Sequence, residues 1–248
     1  MTPDYVKRYA RHLVLKEIGG AGQQALLAAK VAIVGAGGLG GPAGLYLAAA
    51  GVGHITIIDD DEVEVSNLQR QVQFATTTIG MEKAAVMAGT LEDLNPDVQT
   101  KSHIGRLTHD NAKELLEGHD IIIDGVDDFD TRFAINDAAL ALGIPLVSGA
   151  LGRFDGQVSA FRSDKQSPCY RCFVPSIPPD SQTCSEVGVV GALAGVIGSM
   201  MALEVIKIIT GAGEPLYGKI WLFEGLKGES RIVTLPQDPN CGACAHAP

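Results

Sequence analysis

With 248 residues, 46% of them apolar and 30 of them glycine, the chain is long and apolar enough to bury a substantial core, which excludes an intrinsically disordered protein. Its 19 basic and 29 acidic side chains leave a net charge of -10, which excludes a protein that grips nucleic acid by neutralising phosphates. Any anionic ligand must then be held by a few well-placed cations.

Lys7, Arg8, Arg11 and His12 interrupt the apolar positions near the N-terminus, leaving no apolar run for a signal peptide, and the chain reads as cytoplasmic. Helical spacing over 4–15 predicts an arm, ended at Gly19, Gly20 and Gly22 by a flexible turn. Residues 31–34 predict a short buried strand, 35–41 a glycine turn, and 43–50 an apolar helix with Pro42 in its first turn. A second strand over 54–58 ends on Asp59. Helices over 81–94, 108–116 and 132–142 then alternate with strands over 98–104, 120–123 and 146–147. That alternation predicts an α/β fold, a Rossmann-like and mostly parallel sheet with ligands beyond the carboxyl ends of its strands.

From residue 156 the texture changes. Period-two alternation over 157–161 predicts an antiparallel strand, 163–186 a loop rich in Ser, Pro and Cys, and 219–223 and 231–235 two further strands. The uncharged run 187–203 carries Gly191 and Gly195 in GxxxG spacing, but Glu186 and Glu204 close it where a membrane span has basic and aromatic flanks. It reads as a buried helix whose glycines admit a close neighbour. No internal repeat is present, and 1–248 reads as one unit: an arm (1–22), a nucleotide-binding half (23–155) and a second half (156–248).

The first chemical signal is Gly35-Ala36-Gly37-Gly38-Leu39-Gly40 between strand and helix, with Asp59 placed 19 positions after Gly40. Glycines let backbone approach phosphate, the helix N-terminus supplies free N–H donors, and a strand-end carboxylate accepts from ribose. Taken alone the motif favours NAD. Asp59-Asp60-Asp61, the run Ser66-Asn67-Leu68-Gln69-Arg70-Gln71, and Lys83 shift the balance, because attack on a nucleotide phosphate needs cations around it and carboxylates for magnesium. An isolated Arg or Lys is ordinarily solvated surface charge, so it is their company that matters.

The five cysteines form two CxxC pairs, Cys169/Cys172 and Cys241/Cys244, plus a single Cys184. Two CxxC turns match a closed zinc site with four thiolate ligands, with paired disulfides or an iron–sulfur cluster as alternatives. The six histidines form no paired ligand set.

Arg8-Tyr9-Ala10-Arg11-His12, Val34 through Gly40, Asp59 through Asn67-Leu68-Gln69-Arg70-Gln71, Lys83, Asp124 to Asp127 and the paired CxxC together resemble the E1-like adenylyltransferases of the ThiF/MoeB/HesA family, over nearly the whole chain. The resemblance implies a homodimer that uses ATP and magnesium (Mg2+) to adenylate the C-terminal glycine of a small ubiquitin-like sulfur-carrier protein, without nucleic acid or membrane. By position it implies a glycine loop of Gly35, Gly37, Gly38 and Gly40, the ribose acid Asp59, and Asp61 and Asn67 along the nucleotide. It further implies phosphate cations Arg70 and Lys83, the magnesium acid Asp127, and an arm Arg11 that reaches the partner subunit's site. Zinc (Zn2+) falls to the four paired cysteines. Cys184 matches the thiol of a later sulfur-transfer step, dispensable for adenylation.

Where the family commonly has Thr-Asp-Asn, this chain has Val126-Asp127-Asp128, leaving Asp128 without an assigned role. Asp124 and Asp130 read as strand-end and helix-cap carboxylates. The carrier is MoaD-like, for molybdopterin synthesis, or ThiS-like, for thiamine; residues 195–199 favour the former. A separate sulfur donor is expected. An NAD-binding oxidoreductase is the more remote alternative.

Overall fold

The computed structural model describes residues 3–164, 166–177 and 188–245. One eight-stranded sheet runs in the order β3-β2-β1-β4-β5-β6-β7-β8. β1 (Lys30–Val34), β2 (His54–Asp59), β3 (Gln99–Ile104), β4 (Ile121–Asp124) and β5 (Leu146–Leu151) pair in parallel. β6 (Asp155–Phe161), β7 (Lys219–Glu224) and β8 (Glu229–Thr234) extend the sheet antiparallel. The expected class is therefore the observed one. Its cause is visible in β1, whose Val31 to Val34 are all buried: a strand covered on both faces reads as a continuous apolar run.

Helices cover both faces. α3 (Gly40–Ala50), α4 (Lys83–Leu94) and α8 (Gly191–Thr210) enclose one core around Ile33, Leu47, Met87, Ile197 and Met201. α5 (Ala112–Leu116), α6 (Phe129–Leu142) and the single turn α7 (Tyr170–Phe173) enclose the other, around Leu116, Ile135, Phe161 and Tyr170. α1 (Pro3–Leu13) is the expected arm, but the expected flexible turn is absent: Gly19, Gly20 and Gly22 open a second helix, α2 (Gly19–Ala28). Its geometry explains why glycines serve there. A Cβ on Gly22 would lie 3.0 Å from Ile18 and 3.4 Å from Thr210, so glycine admits close contact with α8. Buried Gln23 then locks α2 in place by donating to the Ala50 carbonyl and meeting the His12 ring.

Two further expectations shift. α5 begins at Ala112, not at 108, because the Asn111 carboxamide accepts from the Thr108 amide at 2.8 Å and holds 108–111 as a turn. α8 runs on to Thr210 and is, among the described residues, the one helix long and apolar enough to cross a membrane. One face, Leu193, Ala194, Ile197, Met201 and Val205, is buried against α3 and the sheet. The close approaches are made by Gly191 and Gly198, whose Cβ atoms would meet the Gln69 and Leu39 carbonyls at 2.1 and 2.6 Å. Gly195, the second glycine of the expected GxxxG pair, has open space around it.

Candidate active site

The strand order reverses direction between β1 and β4, and a crevice opens there at the carboxyl ends of the strands, where open α/β sheets bind ligands. It is a cavity of about 650 Å³ lined by the β1–α3 loop, the end of β2, the 66–71 segment, the β3–α5 loop and the turn after β4.

The glycine loop is shaped by contacts that no side chain would permit. Gly35 has φ +91°, and a Cβ on Gly40 would sit 1.8 Å from the Gly35 carbonyl oxygen. The loop therefore folds directly onto the first turn of α3, where the Gly41 amide donates to the Gly37 carbonyl and the Ala43 amide to the Leu39 carbonyl. Asp59 braces it: its Oδ2 accepts from the Ala36 amide at 2.6 Å and its Oδ1 from the Asp61 amide at 2.9 Å. Burial pushes the Asp59 carboxyl above the ordinary carboxylate value, against the pull of those two amides and of Lys83. From the other side the buried Gln73 carboxamide donates to the Ala36 and Gly37 carbonyls.

Cations gather on the same crevice. The Lys83 ammonium, its side chain only 7% exposed, lies 2.7 Å from Asp61. Arg70 bridges to the Ser66 carbonyl at 3.1 Å, and Arg106 lies 3.3 Å from Asp128 across an exposed ion pair. Buried Asn67 closes a turn by accepting from the Glu64 amide. Asp127 stands in the turn between β4 and α6, among the lining residues.

Beneath that turn is a network the sequence did not announce. The Arg132 guanidinium, buried with Asp124, donates to the Asp124 carboxylate at 2.9 Å, to the Ser148 hydroxyl at 3.1 Å, and to the Val126 and Gly149 carbonyls. Breaking such a buried pair costs about 3–5 kcal/mol, because the abandoned charge has no water to turn to. Tyr170 leans on this guanidinium, 5.9 Å from ring centroid to Cζ. Burial pushes its phenol up to about 12, with Arg132 opposing.

The structure thus brings Gly35, Gly37, Gly38, Asp59, Asp61, Asn67, Arg70, Lys83 and Asp127 to one cavity, with Gly40 packed directly under the loop. Arg11 is exposed on α1 and does not line the cavity of its own chain. Cys184 lies outside the described residues. The helix-cap carboxylate proves to be Asp128, not Asp130: extended at φ -106° and ψ 144°, Asp128 accepts from the Thr131 amide at 2.8 Å. Arg106, Arg132 and Gln73 escaped the sequence reading. Five carboxylates, Asp59, Asp60, Asp61, Asp127 and Asp128, line the cavity beside the cations, and among the described residues the lining holds no cysteine, serine or histidine.

The four paired cysteines form a separate cluster. Their sulfurs all lie within 4.8 Å of one another, with Cys169 to Cys241 at 3.7 Å and Cys172 to Cys244 at 3.5 Å. Sulfurs around one tetrahedral zinc stand about 3.8 Å apart, so the cluster fits a metal ion. Burial and the neighbouring thiols push Cys169 up, and four thiolates at this spacing need a cation among them.

A glycine loop at a helix N-terminus, a strand-end acid bracing it and a group of cations on one crevice are the parts of a nucleotide-phosphate site. The chain belongs to the ThiF family, whose model matches residues 9–243. A sulfur carrier protein adenylyltransferase of Thermus thermophilus is 44% identical over 253 residues, covering 100% of this chain and 93% of the relative. The SAMP-activating enzyme E1 of Haloferax volcanii is 40% identical, covering 96% and 88%. The adenylyltransferase and sulfurtransferase MOCS3 of Anopheles gambiae is 43% identical, but the chain spans only 57% of that protein's length. Among solved structures, E. coli MccB with ATP superposes with a TM-score of 0.84 at 22% identity, covering 96% of this chain and 75% of MccB, a likeness of fold.

Proposed function

We propose that the chain is an adenylyltransferase that activates the C-terminal carboxylate of a small ubiquitin-like sulfur-carrier protein with ATP. The observation that carries this reading is the meeting of three cations, Arg70, Lys83 and Arg106, with the Asp59-braced glycine loop in one cavity. A carrier carboxylate oxygen forms a bond to the α-phosphorus, the bond from that phosphorus to the bridging oxygen breaks, and pyrophosphate leaves with the electron pair. Attack by one anion on another is opposed by like charge, and Arg70 and Lys83 are placed to offset it. Asp59 accepts from the ribose. Asp127 holds the magnesium, which neutralises phosphate charge. Zinc held by Cys169, Cys172, Cys241 and Cys244 ties the C-terminal segment to α7. The chain acts as a cytoplasmic homodimer in which Arg11 reaches the partner subunit's cavity, and a separate donor supplies sulfur. Cys184 serves only a step after adenylation, and molybdopterin synthesis is the favoured pathway.

The test is ATP–pyrophosphate exchange by purified protein with magnesium, comparing a MoaD-like carrier, a ThiS-like carrier and no carrier. Exchange with the MoaD-like protein alone is the expected result. Exchange with the ThiS-like protein alone keeps the chemistry and reassigns the pathway. No exchange with either, using carriers active with another activating enzyme, overturns the reading.

A further inference from the structure

α7 is the single helical turn that contains Cys172 and directly follows Cys169, and it also supplies Tyr170 and Phe173 to the wall of the nucleotide cavity. One segment therefore belongs to both the cysteine cluster and the site. A four-residue helix has no stability of its own, so its orientation is set by what grips it. On one side the grip comes from α6: the Tyr170 amide donates to buried Asn136 at 2.9 Å, and Arg171 makes a paired contact with Asp137, both bonds 3.0 Å. On the other side it comes from the cysteines, where Cys169 and Cys172 face Cys241 and Cys244 of the C-terminal segment.

Tyr170 carries that orientation inward. Its ring packs between Phe133 and Phe161 and against the Arg132 guanidinium. Arg132 in turn grips Asp124 and the Val126 carbonyl, the residues that lead into Asp127, and the Gly149 carbonyl on β5. Asp127 is thus one bonded turn away from a guanidinium whose ring partner adjoins a metal ligand.

We infer that Tyr170 is a positioning residue for Asp127, acting through Arg132, and that metal in the four-cysteine cluster tightens binding of magnesium–ATP by fixing Tyr170. The inference rests on the reading that Asp127 holds magnesium. Loosening this cation–π contact frees Arg132 to shift and costs about tenfold in magnesium–ATP affinity, equivalent to about 1.4 kcal/mol. The loss falls on magnesium–ATP and spares magnesium-free ATP, which does not use Asp127.

The experiment uses the full chain, zinc-loaded or stripped with a chelator that is then removed by gel filtration. ATP binding is measured by calorimetry with and without magnesium, and far-UV circular dichroism reports the fold. Stripping should weaken magnesium–ATP binding about tenfold relative to magnesium-free ATP, and zinc-loaded Tyr170→Leu should cut the advantage of magnesium–ATP over magnesium-free ATP by the same factor, with no further effect of stripping. A stripped wild type that keeps its spectrum and its magnesium–ATP affinity overturns the inference, as do effects of stripping and Tyr170→Leu that add. If stripping unfolds the chain, the loaded variant decides: Tyr170→Leu that binds magnesium–ATP like the wild type overturns it. A loaded wild type that binds ATP equally with and without magnesium removes the role of Asp127 and this inference with it; the other outcomes leave that role standing.

Discussion

The Asp59 carboxylate accepts from the Ala36 amide at 2.6 Å, so the acid at the end of β2 fixes the shape of the loop at the end of β1 before any ligand arrives. A carboxylate does this and accepts from a ribose best while ionised, when both oxygens are pure acceptors and no O–H competes with the amide donors. Asp59→Ala removes both jobs. The expected result is a loss of ATP affinity of about ten- to hundredfold, the equivalent of a charged hydrogen bond or two, with the fold retained by circular dichroism.

The same residue sets a pH dependence. Burial raises the folded-state pKa of Asp59 above 3.8, so folding favours its protonated form. Its contribution to stability is present below the unfolded value and lost as pH rises through the folded one. Binding runs the other way, because the ionised form is the one that accepts. ATP affinity measured by calorimetry should fall on acidification through a midpoint above 3.8, and this limb should vanish in Asp59→Asn. A wild-type profile that stays flat down to that value would count against the assignment.

The glycine loop offers a contrast within a few residues. A Cβ on Gly40 would sit 1.8 Å from the rigid Gly35 carbonyl, whereas one on Gly38 would meet the Ala194 methyl at 3.4 Å, an ordinary contact. Gly40→Ala should therefore cost about 3 kcal/mol or more in urea unfolding and abolish ATP binding, since the backbone must move. Gly38→Ala should unfold within about 1 kcal/mol of wild type. Equal stabilities for the two variants would show that the loop yields more easily than its packing suggests.

Much of this was legible in the chain because the signals were local. β1, the loop and Asp59 stand in fixed order, and a strand buried on both faces shows as an unbroken apolar run. The cysteine cluster was legible because CxxC repeats. What stayed hidden was tertiary. Arg132 and Asp124 meet across a strand end and a helix start, and nothing in their spacing distinguishes Arg132 from a solvated arginine on α6. Gly19, Gly20 and Gly22 look like a break because glycine is a poor helix former, yet contact with α8 outweighs that preference. Sequence alone puts the cap at Asp130, because only the backbone angles reveal that Asp128 is the last extended residue.

Lys83 and Arg70 separate two kinds of cation. Lys83 is buried against Asp61, so Lys83→Ala removes a proposed phosphate ligand and leaves that carboxylate facing the site. Arg70→Ala removes a half-buried side chain that donates to the Ser66 carbonyl. Each should slow pyrophosphate exchange by about 10²–10³, the scale of losing one preorganised charge stabiliser. Lys83→Ala should also raise the KM for ATP the more, because Asp61 then repels the phosphates. Exchange at wild-type rates in either variant would remove that residue from the reaction.

Asp128 caps α6 and pairs with Arg106, and its two contacts respond differently to substitution. The helix cap needs only an oxygen acceptor, which Asn supplies as well as Asp, whereas the pair with Arg106 needs the charge. That pair is exposed, so its contribution to stability is about 0–1 kcal/mol. Asp128→Asn should therefore unfold within about 1 kcal/mol of the wild type, while Asp128→Ala should lose about 1 kcal/mol more by uncapping α6. Freed from its partner, Arg106 in Asp128→Asn stands in the cavity as an unneutralised cation, and the KM for ATP should fall. An Asn variant as unstable as the Ala variant would place the ion pair, not the cap, at the root of what Asp128 contributes.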